Sequence, residues 1–211
     1  MSIEAVSITI LLVTVWIVLT MLDIAVAGIL ALAFGVAFRK AFLWGLLSLA
    51  VPVIAVTWGI VFGRESYQVK KVELQFENLP EDFDGYRLVQ LSDIHSRSFV
   101  KRPASLLKAV NRVNGLDADL IVFTGDVITM SPDEMDVTGP ILSDLKARDG
   151  VVSVLGNHDY GVYARPGKGQ VKAPDCSREV ARREQEMEWD ILLDGSRIIR
   201  RGTDSIAVIG V

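Results

Sequence analysis

Residues 86–95 read YRLVQLSDIH, an apolar run over Leu88-Val89-Gln90-Leu91 that passes straight into Asp93 and His95. Side chains two apart on an extended chain point to the same side, so this aspartate and histidine can reach one point in space. Taken singly, the pair is also an ordinary way to begin a turn or a cap. Two further stretches end in the same manner. Asp119-Leu120-Ile121-Val122-Phe123, the near-continuous apolar type of strand that is buried on both faces, leads into Thr124-Gly125-Asp126. Val151 to Leu155 leads into Gly156-Asn157-His158-Asp159. Each cluster is unremarkable alone; three in order, each behind a buried strand, form a specific pattern. The only two histidines of the chain, His95 and His158, both fall inside it.

The segments between these strands have helical character. Pro103 opens a pattern with Leu106, Leu107, Val110 and Val113 on one side, and Asn114-Gly115 closes it. A second helix is expected over Asp133 to Arg148, after Ser131-Pro132, and a charged amphipathic helix over Ser177 to Leu193. The mixed charges from Arg178 to Glu188 read as a solvated face of that helix. Ser205 to Val211 is a further apolar strand. Tyr67 to Phe76 alternates as an entry or edge strand, through Val69, Val72, Leu74 and Phe76. Strands alternating with helices predict an α/β layered domain with a largely parallel core. In open α/β sheets ligands sit beyond the carboxyl ends of the strands, so the three clusters are expected to converge. Aspartate and histidine are ligands for divalent ions of the Mn, Fe, Zn or Ni kind. Asp126, on the middle element, is the natural bridge between two ions, and Asn157 offers a neutral oxygen. Two ions about 3.5–4 Å apart activate water and clamp phosphoryl oxygens.

The 211 residues are half hydrophobic, but the apolar residues are concentrated at the start. Only Glu4, Asp23, Arg39 and Lys40 are charged in residues 1–63, so the whole net charge of −4 falls on residues 64–211. Val6 to Phe38, interrupted by Asp23, and Ala41 to Phe62 each exceed the roughly 20 apolar residues that a membrane span needs. Asp23 at a bilayer centre costs about 2.5–3.5 kcal/mol, which places it near a helix end or against the other helix. A cleaved signal peptide does not fit, because the leading region holds Glu4 and no basic residue and the apolar run is too long. The expected organisation is a membrane region over 1–63, with helices at about 6–38 and 41–62, and a soluble domain over 64–211. The basic link Arg39-Lys40 favours the cytoplasm, which makes the following domain extracytoplasmic, although Arg64, Lys70 and Lys71 on its other flank weaken that reading. The lipid bilayer is thus an expected partner. A mildly acidic domain without a basic stripe argues against nucleic acid. There is no G-x-G-x-x-G or P-loop motif for nucleotide binding, and lone Cys176 makes no internal disulfide.

The pattern D-x-H, then G-D, then G-N-H-D, present as Asp93-Ile94-His95, Gly125-Asp126 and Gly156-Asn157-His158-Asp159, resembles the calcineurin-like metallophosphoesterases over about residues 67–211. The entry from Leu79-Pro80 to Gly85-Tyr86 looks closest to their membrane-anchored branch. The resemblance implies that Asp93 and His95 hold a first metal, that Asp126 bridges, and that Asn157 holds a second. It implies that His158 protonates or stabilises the leaving oxygen and that Asp159 orients His158. Two divalent ions and a phosphate-containing substrate follow, with hydrolysis of phosphomonoester, phosphodiester or pyrophosphate bonds, in an envelope or lipid-linked compound given the tether. The family pattern continues with a further histidine and a G-H-x-H element, whereas no histidine follows His158 here. The chain is therefore expected to be C-terminally incomplete, the alternatives being a shortened inactive protein or ligands from another subunit. Taken alone, the half site is expected to bind one metal weakly and to hydrolyse poorly. Ser96-Arg97-Ser98 also departs from the pattern. Arg97 is a candidate for a substrate phosphate, and Arg165 to Lys172 for an anionic head group; each is otherwise a solvated loop. The competing function is an inactive membrane-anchored binding module.

Overall fold

The computed structural model describes residues 3–61, 63, 66–163 and 173–211. It separates into two compact units, residues 1–69 and 70–211.

In the first unit, helix α1 (Ile3–Phe34) and helix α2 (Phe38–Val61) form an antiparallel hairpin. Each contains a 22-residue stretch long and apolar enough to cross a membrane, Val13–Phe34 and Phe38–Gly59. Only 11% and 0% of these windows is buried, so large apolar side chains such as Trp16, Leu32, Trp44 and Trp58 face outward. A core helix of a soluble protein buries such a face; these helices do not. Thr20 and Thr57 satisfy their hydroxyls on the carbonyls four residues earlier. The break lies earlier than a linker at Arg39-Lys40: Gly35 adopts φ +65° and donates to Ala31 O at 3.2 Å, a left-handed glycine cap, and Arg39 and Lys40 fall in the first turn of α2. Asp23 faces the second helix, with its carboxylate against Gly45. The two helices are consistent with a multi-pass membrane protein whose soluble domain is extracytoplasmic.

In the second unit, strands β1 (Leu88–Leu91), β2 (Leu120–Phe123), β3 (Val151–Ser153) and β4 (Asp190–Ile191) form a parallel sheet in the order β1-β2-β3-β4. Leu91 pairs with Phe123, and Phe123 with Ser153, so the first three strands end level. Helices α4 (Pro103–Asn114), α5 (Met135–Leu142) and α6 (Ala173–Glu186) follow the crossovers. One buried cluster joins Leu106, Val110, Ile121, Phe123, Val151, Val180 and Trp189. Leu120 and Val152, on alternate positions of the same strands, pack instead with Phe83, Leu192 and Ile199. Both faces of β2 are thus covered, which is why its sequence is apolar without alternation. The second face is covered by an antiparallel hairpin of β5 (Gly195–Arg201) and β6 (Asp204–Gly210).

Several sequence expectations are corrected by local chemistry. No strand forms over 67–76, and Val72, Leu74 and Phe76 are exposed; alternation supplies a face, but a strand also needs a ladder partner. The helix expected to reach Arg148 stops at Leu142, and the chain beyond it is held by Asn114, whose amide N–H donates to Asp144 O at 2.8 Å and whose Oδ1 accepts the Lys146 N–H at 2.9 Å. The third helix ends at Glu186 in a Schellman turn: Trp189 N–H reaches Glu184 O and Glu188 N–H reaches Gln185 O, with Glu188 at φ +61°. Glutamate in the position usually held by glycine hides that stop, and with it β4. The strand near Val211 is not buried: β6 alternates, with Ile206 and Val208 packed inward and Ile209 exposed. Its partner β5 interleaves Arg197, Arg200 and Arg201 with Ile198 and Ile199 and carries no clear strand pattern; Gly202 at φ +54° supplies the two-residue turn between them. The Arg165 to Lys172 segment lies outside the described residues.

Behind β3, Glu184 of α6 is fully buried and receives the Ser153 hydroxyl at 2.5 Å. Burial, reinforced by the Asp159 charge and opposed by the Ser153 bond, pushes its carboxyl from 4.5 up to about 8. The folded value exceeds the unfolded one, so the stabilisation from the protonated group is complete below about 4.5 and is lost as pH rises through about 8. Glu184→Gln should remove this loss, which runs at about 1.4 kcal/mol per pH unit in that window; urea unfolding at several pH values checks it, the variant being the more stable above pH 8.

Candidate metal centre

The sheet hands three loops to one edge, and its hydrogen-bond ladder continues into them. Thr124 N–H donates to Leu91 O at 2.9 Å, Asp93 N–H to Gly125 O at 3.0 Å, His95 N–H to Asp126 O at 3.1 Å and Val154 N–H to Phe123 O at 3.0 Å. The loops after β1 and β2 therefore run side by side. Asp93, His95 and Asp126 all sit at positive φ, at 55°, 48° and 60°. Non-glycine residues held there carry roughly 1–3 kcal/mol of strain each, which the surrounding hydrogen bonds must hold.

The loops after β2 and β3 meet through two glycines. A Cβ on Gly125, at φ +91°, would lie 2.3 Å from Gly156 N, and one on Gly156 would lie 2.2 Å from Asp126 Oδ1. The contact is completed by an exchange of carboxylates. Fully buried Asp159 accepts the N–H groups of Asp126, Ile128 and Gly156 at 2.7, 3.1 and 2.9 Å. Asp126 Oδ1 in turn accepts the His158 N–H at 2.8 Å. Burial raises the Asp159 carboxyl above its ordinary range; the three backbone N–H bonds oppose the rise and the neighbouring Asp126 charge adds to it.

This architecture brings His95, Asp126 and His158 together, with one donor atom from each lying within 4.8 Å of the others. Donors about 2.0–2.2 Å from one zinc-like ion are separated by up to roughly 4.4 Å, so the three stand close to sharing one. His95 Nδ1 is buried and has no hydrogen-bond partner, and two imidazoles with a carboxylate suit a transition-series ion. The set therefore fits a single divalent metal, and it is the one such cluster among the described residues. Asp93 lies at its margin: its side chain is 63% exposed, with Oδ1 3.7 Å from His95 Nε2 and Oδ2 accepting from Ser92 Oγ. Asn157 is exposed on the loop after β3. Arg97 opens the short helix α3 (Arg97–Val100), with an exposed side chain.

The orienting group on His158 is not Asp159, whose oxygens are occupied by backbone. His158 Nδ1 instead donates to Thr129 O at 2.7 Å, which fixes the Nδ1–H tautomer and leaves the Nε2 lone pair available. The other faces of this ring meet His95, edge-on at 4.6 Å, and Tyr163 at 4.4 Å. Thr129 and Tyr163 were not singled out in the sequence, since a carbonyl and a half-exposed aromatic carry no motif. Glu134 was also missed. Ser131-Pro132-Asp133-Glu134 has the spacing of a capping box, but its carboxylate reaches past the cap to Thr129 and Met130.

Residues 86–200 match the family model described as calcineurin-like phosphoesterase. A transmembrane protein with metallophosphoesterase domain from Danio rerio is 35% identical over 54% of this chain and 26% of its own length. The uncharacterized metallophosphoesterase YkuE of Bacillus subtilis is 32% identical over 59% of the chain and 46% of its own length. The UDP-2,3-diacylglucosamine pyrophosphatase LpxG of Chlamydia trachomatis is 34% identical over 54% of the chain and 35% of its own length. The chain thus spans between a quarter and a half of the length of these relatives. No solved structure gives a significant match.

The glycine contact makes a sharp prediction. Gly125→Ala combines an unfavourable φ with a backbone clash and should destabilise the domain by about 2–4 kcal/mol. Gly150→Ala, at φ +80° but facing only the Arg197 side-chain tip at 3.8 Å, should cost about 1 kcal/mol. Denaturant unfolding of the two variants compares them directly.

Proposed function

The chain belongs to the calcineurin-like phosphoesterase family, and from that membership we propose that it is a membrane-tethered phosphoester-binding domain that holds one divalent ion and hydrolyses weakly by itself. The observation that carries this reading is the three-donor cluster of His95, Asp126 and His158, the one such cluster among the described residues. An ion held there supplies positive charge against phosphoryl oxygens and lowers the pKa of bound water. The residues of the chain do the rest. Asp126 contributes the anionic oxygen and, through its Oδ1, keeps the His158 loop in place. Thr129 O holds the His158 ring so that Nε2 carries the free lone pair. Arg97, two residues beyond His95, is offered as a contact for a substrate phosphate.

A second reading is favoured by the position of Asp93, whose carboxylate adjoins His95 at 3.7 Å. Here Asp93 and His95 would hold one ion and Asn157 a second, Asp126 would serve both, and His158 would transfer a proton to the leaving oxygen. The protein is then a two-metal hydrolase of phosphomonoesters, phosphodiesters or pyrophosphates. Similarity to a UDP-2,3-diacylglucosamine pyrophosphatase, together with the two apolar helices, supports a lipid-linked or envelope phosphate as its substrate.

Metal titration separates the two. Detergent-solubilised chain dialysed against Mn(II) should retain no more than one ion, and Asp126→Asn should lower its affinity at least tenfold. Turnover of p-nitrophenyl phosphate should stay far below the roughly 1–10³ per second typical of enzymes. Two tightly held ions with turnover in that range would overturn the one-metal reading in favour of the second.

A further inference from the structure

Glu134 has no part in the chemistry above, yet it is 9% exposed and its carboxylate is spent on the backbone of the site loops. Oε2 accepts the Arg97 N–H at 3.1 Å and the Thr129 N–H at 2.7 Å; Oε1 accepts the Met130 N–H at 3.0 Å. Arg97 lies two residues after His95, and Thr129 three after Asp126. One carboxylate therefore ties the loop carrying the first histidine to the loop carrying the central aspartate. Thr129 is held at both ends, its N–H by Glu134 and its carbonyl by His158 Nδ1. Glu134 is itself fixed by the 3₁₀ turn Pro132–Glu134 that leads into α5. A second tie runs in parallel: buried Thr138 donates to Glu134 O or to Ser96 Oγ, at 3.1 and 2.8 Å.

We propose that Glu134 is a positioning residue of the metal site: by fixing Thr129 it holds His158 in the Nδ1–H tautomer and keeps Nε2 free for an ion or a proton. A glutamine in its place has one acceptor oxygen rather than two, and its amide group meets one of the three N–H donors unfavourably. Loss of the tie lets the Thr129 carbonyl swing away, and the imidazole then takes either tautomer.

The test uses the full chain in detergent, metal-free, with ¹⁵N-labelled histidine, at a pH where the imidazole is neutral. Two-bond ¹H–¹⁵N spectra report which ring nitrogen carries the proton. The wild-type chain should show His158 predominantly as Nδ1–H; Glu134→Gln should give a mixture, and Glu134→Ala a larger share of the Nε2–H form. In the second arm, Mn(II) affinity of Glu134→Gln should fall about 10–100-fold, as for other groups that orient ligands. A merely structural cap would lower the melting temperature without changing the tautomer. An unchanged His158 tautomer in both variants, with the circular dichroism of the wild-type chain retained, overturns the proposal. The affinity arm rests on the one-metal reading; the tautomer arm does not. Absence of Mn(II) binding to the wild-type chain would therefore sink that reading alone and leave the role of Glu134 to the tautomer.

Discussion

The arrangement of the site depends on the burial of one carboxylate, that of Asp159, against three backbone N–H groups drawn from two loops. A buried charge is tolerated only when it is hydrogen-bonded on all sides, and here the bonds also determine where the chain goes. The loop after β3 supplies a carboxylate to the backbone of the loop after β2, and the second loop returns one, Asp126, to the backbone of the first. Neither loop can move without leaving a buried charge or a buried N–H unpaired. The glycine-to-glycine contact at 125 and 156 is what lets the backbones come close enough for this exchange. Left-handed backbone at Asp93, His95 and Asp126 is the conformational cost that it sustains.

At the opposite end of the sheet a second ionic knot fixes the covering hairpin. Asp119, just before β2, takes the Arg87 N–H at 2.7 Å, with Arg201 of β5 at 2.7 Å and Arg148 at 3.1 Å. Burial opposes the charged form of this carboxylate, but these cationic and N–H partners prevail and hold it below its usual range. Arg201 also stacks over Tyr86 and reaches Asp149, while Tyr86 donates its hydroxyl to Asp149. The two ends of the same strands thus have different tasks. Carboxylates at the amino end anchor the hairpin; those at the carboxyl end hold together the loops that carry His95, Asp126 and His158.

This division bears on function. A family fold with one three-donor cluster among the described residues has the framework on which phosphoester chemistry is built, and a donor set suited to one ion. The two apolar helices that precede the domain are long enough to cross a membrane, and the proposed lipid-linked or envelope substrate rests on them. His158 is the residue on which the readings divide, since it serves as a ligand in one and a proton carrier in the other. Its tautomer, fixed by Thr129, is compatible with both.

The sequence by itself determined the class of fold and the identity of the three converging clusters. Buried parallel strands must be apolar on both faces and must end at one edge, so Leu120 to Phe123 and Val151 to Leu155 reveal themselves and the polar residues behind them. Two long apolar helices with few charged residues are equally legible, because a bilayer admits few charges. Tertiary structure alone decided what each polar group does. Hydrogen bonds accepted by Asp159 and Glu134 join residues more than thirty positions apart, and backbone N–H groups and carbonyls leave no trace in residue type. The same holds for the strand that did not form over 67–76 and for the early stop of α5, beyond which Asn114 holds the chain. Each depended on a partner distant in sequence, and local pattern carries no information about which partner is there.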